Sequence, residues 1–197
     1  PDTLSALAVV SINVIKENSA KIVYINPFNQ NDPEENGSIA HPFDSWEDVK
    51  FENDLTVLHK RDTKYKLTQA IHINGFSNIS IDAYGEGNIP VIFTDLFISG
   101  LFVFENSSNC SIRNFELFSD NASTTGISIT GGQSANLMIE NCTIHDGLYG
   151  IKSDAEIKGL KISEVEIYNT KSDGIQLSSF EGIEIASEEV MHDEVVV

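Results

Sequence analysis

The stretch Ala135-Asn136-Leu137-Met138-Ile139-Glu140-Asn141 decides the fold, because it recurs along the chain. Upstream copies are Ser77-Asn78-Ile79-Ser80-Ile81 and Ser108-Asn109-Cys110-Ser111-Ile112-Arg113-Asn114; downstream stands Lys158-Gly159-Leu160-Lys161-Ile162-Ser163-Glu164. A partial copy, Glu181-Gly182-Ile183-Glu184-Ile185, closes the series. The second apolar residue of each copy falls at 81, 112, 139, 162 and 185, spacings of 31, 27, 23 and 23 residues. A second phrase, Gly followed by alternating apolar residues, lies between them. It begins at Gly100, Gly126, Gly150 and Gly174, spaced by 26, 24 and 24 residues. Two independent phrases that hold one period mark a solenoid. Each is a short alternating strand bounded by Gly, Asn, Ser and Asp turns, and no helical stripe spans the repeats. The pattern predicts a coil whose turns pair with the turns above and below, about 4.8 Å away, as parallel sheets.

Stacking fixes which side chains face inward. Ile81, Ile112, Ile139 and Ile162 form one internal ladder, and Leu117, Ile144 and Ile167 a second. Phe115, Cys142 and Val165 form a third, which makes Cys142 a buried, inert thiol, and Cys110 reads the same way. Asn114 and Asn141 fall at the bend between two strands, where their amides can bond the backbone and one another.

The chain carries 12 Lys+Arg against 30 Asp+Glu, a formal net charge of −18. That balance argues against nucleic acid or an anionic membrane as partner, since both require positive charge. A hydrophobic content of 41% with 11 Phe can fill a core. No run approaches the roughly 20 apolar residues of a spanning helix, so membrane insertion is not expected. Leu4 to Val10 lacks the basic start and cleavage site of a signal peptide. Two cysteines neither make a disulfide scaffold nor fix a compartment.

The organisation predicted is an N-terminal extension over 1–20, a coil over 21–185 and an acidic tail or interrupted continuation over 186–197. Ile22-Val23-Tyr24-Ile25 reads as a strand, followed by a polar loop. A short amphipathic helix near 44–50, with Ser45 in capping position and Trp46 and Val49 on one face, is expected to close the open end. The far end has no visible cap, so either the coil continues in further residues or another chain associates there and covers it.

These residues resemble the right-handed parallel β-helix proteins of the pectate-lyase-like superfamily. The similarity lies in Tyr24-Ile25-Asn26-Pro27-Phe28-Asn29-Gln30-Asn31-Asp32, in His41-Pro42-Phe43-Asp44-Ser45-Trp46, in Leu58 to Tyr65, and in Ala83-Tyr84-Gly85-Glu86-Gly87-Asn88-Ile89-Pro90-Val91-Ile92. It covers about Lys21 to Ile185. The fold it implies is an all-β, right-handed parallel β-helix of about five turns with a short capping helix. The activity it implies is processing of a polysaccharide outside the cell or on a bacterial surface, with a polysaccharide lyase acting on an anionic, uronate-containing glycan as the leading version. A non-catalytic carbohydrate-binding, adhesin or tail-spike module is the rival, because fold does not fix function.

The chemistry-bearing residues sit outward. Phe118, His145 and Tyr168 each follow an inward residue on consecutive turns, forming an aromatic row against which sugar rings can lie. Asp146 and Asn169 beside them, and Gln176 on the neighbouring strand, are candidate substrate contacts. The same strand line holds Ser128 and Lys152. In β-elimination a base removes the proton next to the uronate carboxylate, whose charge must be neutralised. His145 or Lys152 is the candidate base, Tyr168 the acid, and Arg113, Lys161 or Lys171 the neutralising cation. Lys171-Ser172-Asp173-Gly174-Ile175 resembles the turn at which calcium-using lyases place ligands. Asp146, Asp154 and Asp173 are accordingly the candidate ligands for Ca²⁺. A hydrolase would instead need two facing carboxylates, for which Asp146 and Asp173 are the candidates. Lys60, Arg61, Lys64 and Lys66, with His59 beside them, are a basic cluster that could attract an acidic glycan, although a charged strand edge is the commoner explanation.

Overall fold

Short alternating segments separated by left-handed corners wind into stacked turns. The computed structural model describes residues 21–132 and 134–186 and the backbone of 195–196; the extension expected at 1–20 and nearly all of the expected tail lie outside the described residues. Strand β1 (Lys21–Ile25) opens the first face. The next turn holds β2 (Leu55–Lys60), β3 (Lys64–Lys66) and β4 (Ile71–Asn74), and the one after it β5 (Ser80–Tyr84), β6 (Val91–Thr94) and β7 (Phe102–Glu105). Above these, one bent strand per turn covers two faces. The pairs are β8 (Ser108–Ser119) with β9 (Ile127–Thr130), β10 (Ser134–Asp146) with β11 (Ile151–Lys158), and β12 (Lys161–Tyr168) with β13 (Ile175–Glu181). β14 (Glu184–Ala186) and β15 (Val195–Val196) follow on β12 and β13. All strand pairs are parallel, giving three long faces and about five turns. Among the described residues no helix is long and apolar enough to cross a membrane.

The register is that of the repeat. Val57, Ile81, Ile112, Ile139 and Ile162 lie directly over one another on the first face. Ile92, Leu117, Ile144 and Ile167 do so on the second, beside Phe115, Cys142 and Val165. All are buried. Burial pushes the Cys142 thiol up to about 12, which leaves it protonated and inert, as expected.

Two kinds of corner explain the recurring polar residues. Asp54, Asn78, Asn109 and Asn136 have φ of 62°, 61°, 53° and 52°, the left-handed region that Asn and Asp tolerate best. Asn136 Nδ2 donates to Asn109 Oδ1 (2.9 Å), Asn109 to Asn78 (3.2 Å) and Asn78 to Asp54 (2.7 Å), so one column of amides ties four turns. The column then passes to Gly159, where a Cβ would stand 2.7 Å from Asn136 Oδ1. The bend inside β8 and β10 repeats the device: Asn141 donates to Asn114 (2.6 Å) and Asn114 to Asp82 (2.5 Å). The glycines of the second phrase serve close approach. A Cβ on Gly126 would meet the carbonyl oxygen of Gly150 at 2.6 Å, and one on Gly150 that of Gly174 at 2.6 Å.

The N-terminal closure differs from expectation. A single 3-10 turn, Trp46–Asp48, stands where an amphipathic helix is predicted, with Ser45 Oγ accepting from the Glu47 amide (3.0 Å). Val49 is already extended (φ −72°, ψ 117°), because the chain must leave at once for β2. The tight turn still eclipses positions three apart, and Trp46 and Val49 are both buried. Much of the edge is covered by loop backbone instead: Tyr24 N–H donates to Gly37 O, Phe43 N–H to Tyr24 O and Asn26 N–H to Phe43 O. Such pairing blunts an edge strand.

His59 is a second correction. It does not join the exposed basic edge but takes the inward position after Leu55 and Val57, fully buried. Its ring stacks on Trp46 (5.8 Å between centroids, 11° between planes). Thr63 Oγ1 donates to Lys60 O (2.6 Å), so His59 Nε2–H must be the donor in its 2.9 Å contact with that oxygen. Burial drives the imidazole down to about 3 and keeps it neutral.

Candidate functional site

The outward row of the second face is a continuous stack of rings. Phe93 and Phe118 lie 5.1 Å apart, Phe118 and His145 5.0 Å, and His145 and Tyr168 4.8 Å, with interplanar angles of 18°, 12° and 5°. Sequence reasoning placed Phe118, His145 and Tyr168 there and missed Phe93. The signal for Phe93 is its position after inward Ile92, obscured by the long loop in that turn. The near-parallel planes change what the row offers. Rings stacked at the turn spacing spend their faces on one another, so the row presents ring rims and heteroatoms to solvent rather than a flat platform for sugar rings.

His145 is the most highly connected member. Its Nδ1 lies 2.8 Å from Asp146 Oδ2 and its Nε2 3.4 Å from Glu116 Oε1. Asp146 ends β10 in the left-handed region (φ 59°), and Asn169 takes the same conformation one turn up (φ 59°). The Asn169 amide donates to Asp146 Oδ1, fixing the carboxylate from its other side. Glu116 projects outward two residues before Phe118, a position that strand alternation alone reveals. The Tyr168 hydroxyl is held above its usual range, first by burial and then by Glu166, Glu116 and Asp146. The Lys64 ammonium lies 4.5 Å from the Phe93 centroid and 4.8 Å from that of Phe118.

The other candidates lie elsewhere. Arg113 is on the first face, across the Asn114 bend, held by Asp82 (3.4 Å) and Glu140 (3.7 Å). Lys152 is on the third face, in register between Ser128 and Gln176. It pairs with Asp154 (3.0 Å) and lies 4.9 Å from the Tyr149 ring. Gln176 donates to Asp173 (3.3 Å) in the turn between the second and third faces, which also carries Lys171. His145, Tyr168, Asp146, Asn169 and Phe118 are thus brought together, while Arg113, Lys152 and Gln176 are held by other partners and the Lys171 backbone N–H donates to Gly147 O (3.0 Å), next to Asp146. Asp146, Asp154 and Asp173 do not converge. Among the described residues, the group of three carboxylates whose oxygens lie within 4.8 Å of one another is Glu35, Asp44 and Asp48, at the N-terminal closure. The donor set expected for Ca²⁺ therefore does not fit one ion.

Stacked parallel turns with three faces and a largely apolar interior define a right-handed parallel β-helix. The chain belongs to the family described as "Right handed beta helix region", whose model matches residues 69–194. No curated protein matches it. Among solved structures it is similar to a GH136 lacto-N-biosidase from Eubacterium ramulus. For the selenomethionine derivative the TM-score is 0.71 and the identity 15%, covering 87% of this chain and 42% of that one. For the native protein the TM-score is 0.67, again at 15% identity, over 82% and 36%. A rhamnogalacturonan lyase aligns with a TM-score of 0.49 and 12% identity over 89% of this chain and 60% of that one. The chain thus spans less than half the length of the lacto-N-biosidase.

Proposed function

We propose that this β-helix processes an extracellular polysaccharide, and that His145 is the proton-transfer centre. The observation that carries the reading is the imidazole held between two carboxylates and stacked on a tyrosine. In the β-elimination version Asp146 holds the proton on Nδ1, leaving the Nε2 lone pair as base once Glu116 gives way to substrate. Nε2 takes the proton next to the uronate carboxylate, the electron pair forms the new double bond, and the C–O bond to the leaving sugar breaks. Tyr168 supplies the proton to that oxygen. No step is routed through calcium, since the three aspartates do not converge. A second reading is hydrolysis, favoured by two carboxylates, Glu116 and Asp146, on opposite edges of one imidazole.

Incubation with pectate, alginate, chondroitin and neutral galacto-oligosaccharides tests both readings. Elimination yields unsaturated ends that absorb in the ultraviolet; hydrolysis yields reducing ends without that absorbance. Replacing His145 by Ala should lower either rate by roughly 10²–10⁴-fold. Glycan binding with no product on any substrate would sink the enzyme and leave the binding module.

A further inference from the structure

The chain holds 12 basic residues among 30 acidic ones, and the described structure pairs six of them with carboxylates. Lys21 pairs with Glu52, Lys66 with Asp95, Arg113 with Asp82 and Glu140, Lys152 with Asp154, Lys158 with Glu156 and Glu181, and Lys161 with Glu184. Lys60 lies 5.7 Å from the Tyr84 centroid, and Lys64 is held closer, against two rings. Among the described residues its ammonium makes no ion pair, and it rests against Phe93 and Phe118 at 4.5 and 4.8 Å. In register Lys64 lies opposite Val91, with Glu116 next in the same column. Its stem therefore leans along the face, towards the ring that underlies His145. A carboxylate partner would cancel the charge; aromatic rings hold an ammonium in place and leave its charge available. Much of the ordering entropy that a flexible lysine loses on gripping a ligand is thus already spent.

We propose that Lys64 is an anion subsite: it grips the acidic substituent of a glycan, a uronate carboxylate or a sulfate ester, on a sugar next to the one at His145. The inference rests on the glycan-processing reading and adds the substrate's charge to it. Lys64 stands one ring short of His145, which suits a neighbouring sugar better than the carboxylate of the reacting one. Glu116 and Glu166 on the same face would repel an anion placed further along, so the position of the charge on the polymer fixes its register.

Calorimetric titration of the full chain with oligogalacturonate, with its methyl ester and with a sulfated galacto-oligosaccharide tests the proposal. The ester keeps the shape and removes the charge. Wild-type protein should bind the free acid about tenfold more tightly than the ester, a preference that shrinks with added salt. Lys64→Met, which keeps the apolar stem, should erase the preference; Lys66→Met should keep it. A preference for the sulfated ligand, erased by the same change, identifies sulfate as the anion. Equal binding of acid and ester by wild type, with no sulfate preference, or a preference that survives Lys64→Met, overturns the subsite while leaving glycan binding intact. Failure of wild type to bind any of the three overturns the underlying reading and this one with it.

Discussion

Acid should destabilise this protein through one buried imidazole. His59 titrates near 6.5 when exposed and is pushed to about 3 in the folded chain by burial. Between those values the unfolded state binds a proton that the folded state refuses, so stability falls as pH drops below 6.5, and the loss is complete only below about 3. The slope is at most about 1.4 kcal/mol per pH unit, and at pH 5 the cost has reached about 2 kcal/mol. The matched variant is His59→Phe. A phenyl ring fits against Trp46, Tyr65 and Phe115, all ring neighbours of His59, and Thr63 keeps its bond to Lys60 O. Urea unfolding from pH 8 to pH 5, followed by far-ultraviolet circular dichroism, should show wild type losing about 2 kcal/mol more than the variant. Equal losses would mean that the imidazole protonates in the folded state, and the buried neutral histidine would have to be abandoned.

Gly150→Ala should cost about 2–3 kcal/mol, because its Cβ meets the Gly174 carbonyl oxygen, whereas Gly132→Ala, with open space around it, should stay within about 0.5 kcal/mol; thermal unfolding compares them. Asn109→Ala should lose about 1–2 kcal/mol from left-handed strain and a broken amide column, and Asn109→Gly less; an alanine as stable as the glycine would show that the corner carries no strain. Binding of oligogalacturonate should survive a chelator, given that Asp146, Asp154 and Asp173 do not meet at one ion; its disappearance would restore a calcium bridge to the acidic surface.

The periodicity of Ile81, Ile112, Ile139 and Ile162 made the coil legible, since a ladder buried in register leaves an unmistakable spacing. Asn114 and Asn141 were readable as stacked corner amides for the same reason. The helix near 44–50 was not, because a cap signal says where a turn starts and not how soon the next strand claims the chain. His59 was misplaced by residue type, although its alternation with Leu55 and Val57 pointed inward. In the site, register placed Phe118, His145 and Tyr168 in one row, but it is silent on ring planes, and the planes decide whether faces or rims meet a ligand. Glu116 escaped notice because its importance comes from reaching across turns, and Lys64, legible as part of a basic cluster, could not be singled out because no sequence spacing encodes which rings its ammonium meets.

The amide column through Asp54, Asn78, Asn109 and Asn136 has a bearing on how such a protein can change its length. Asn78 and Asn109 each receive one bond from above and give one below, so a whole repeat between them can be excised or duplicated and the severed ends find equivalent partners. A fractional repeat offers no such match. Growth by entire coils, each adding about 4.8 Å of surface and one more ring to the stack, is the route the architecture leaves open.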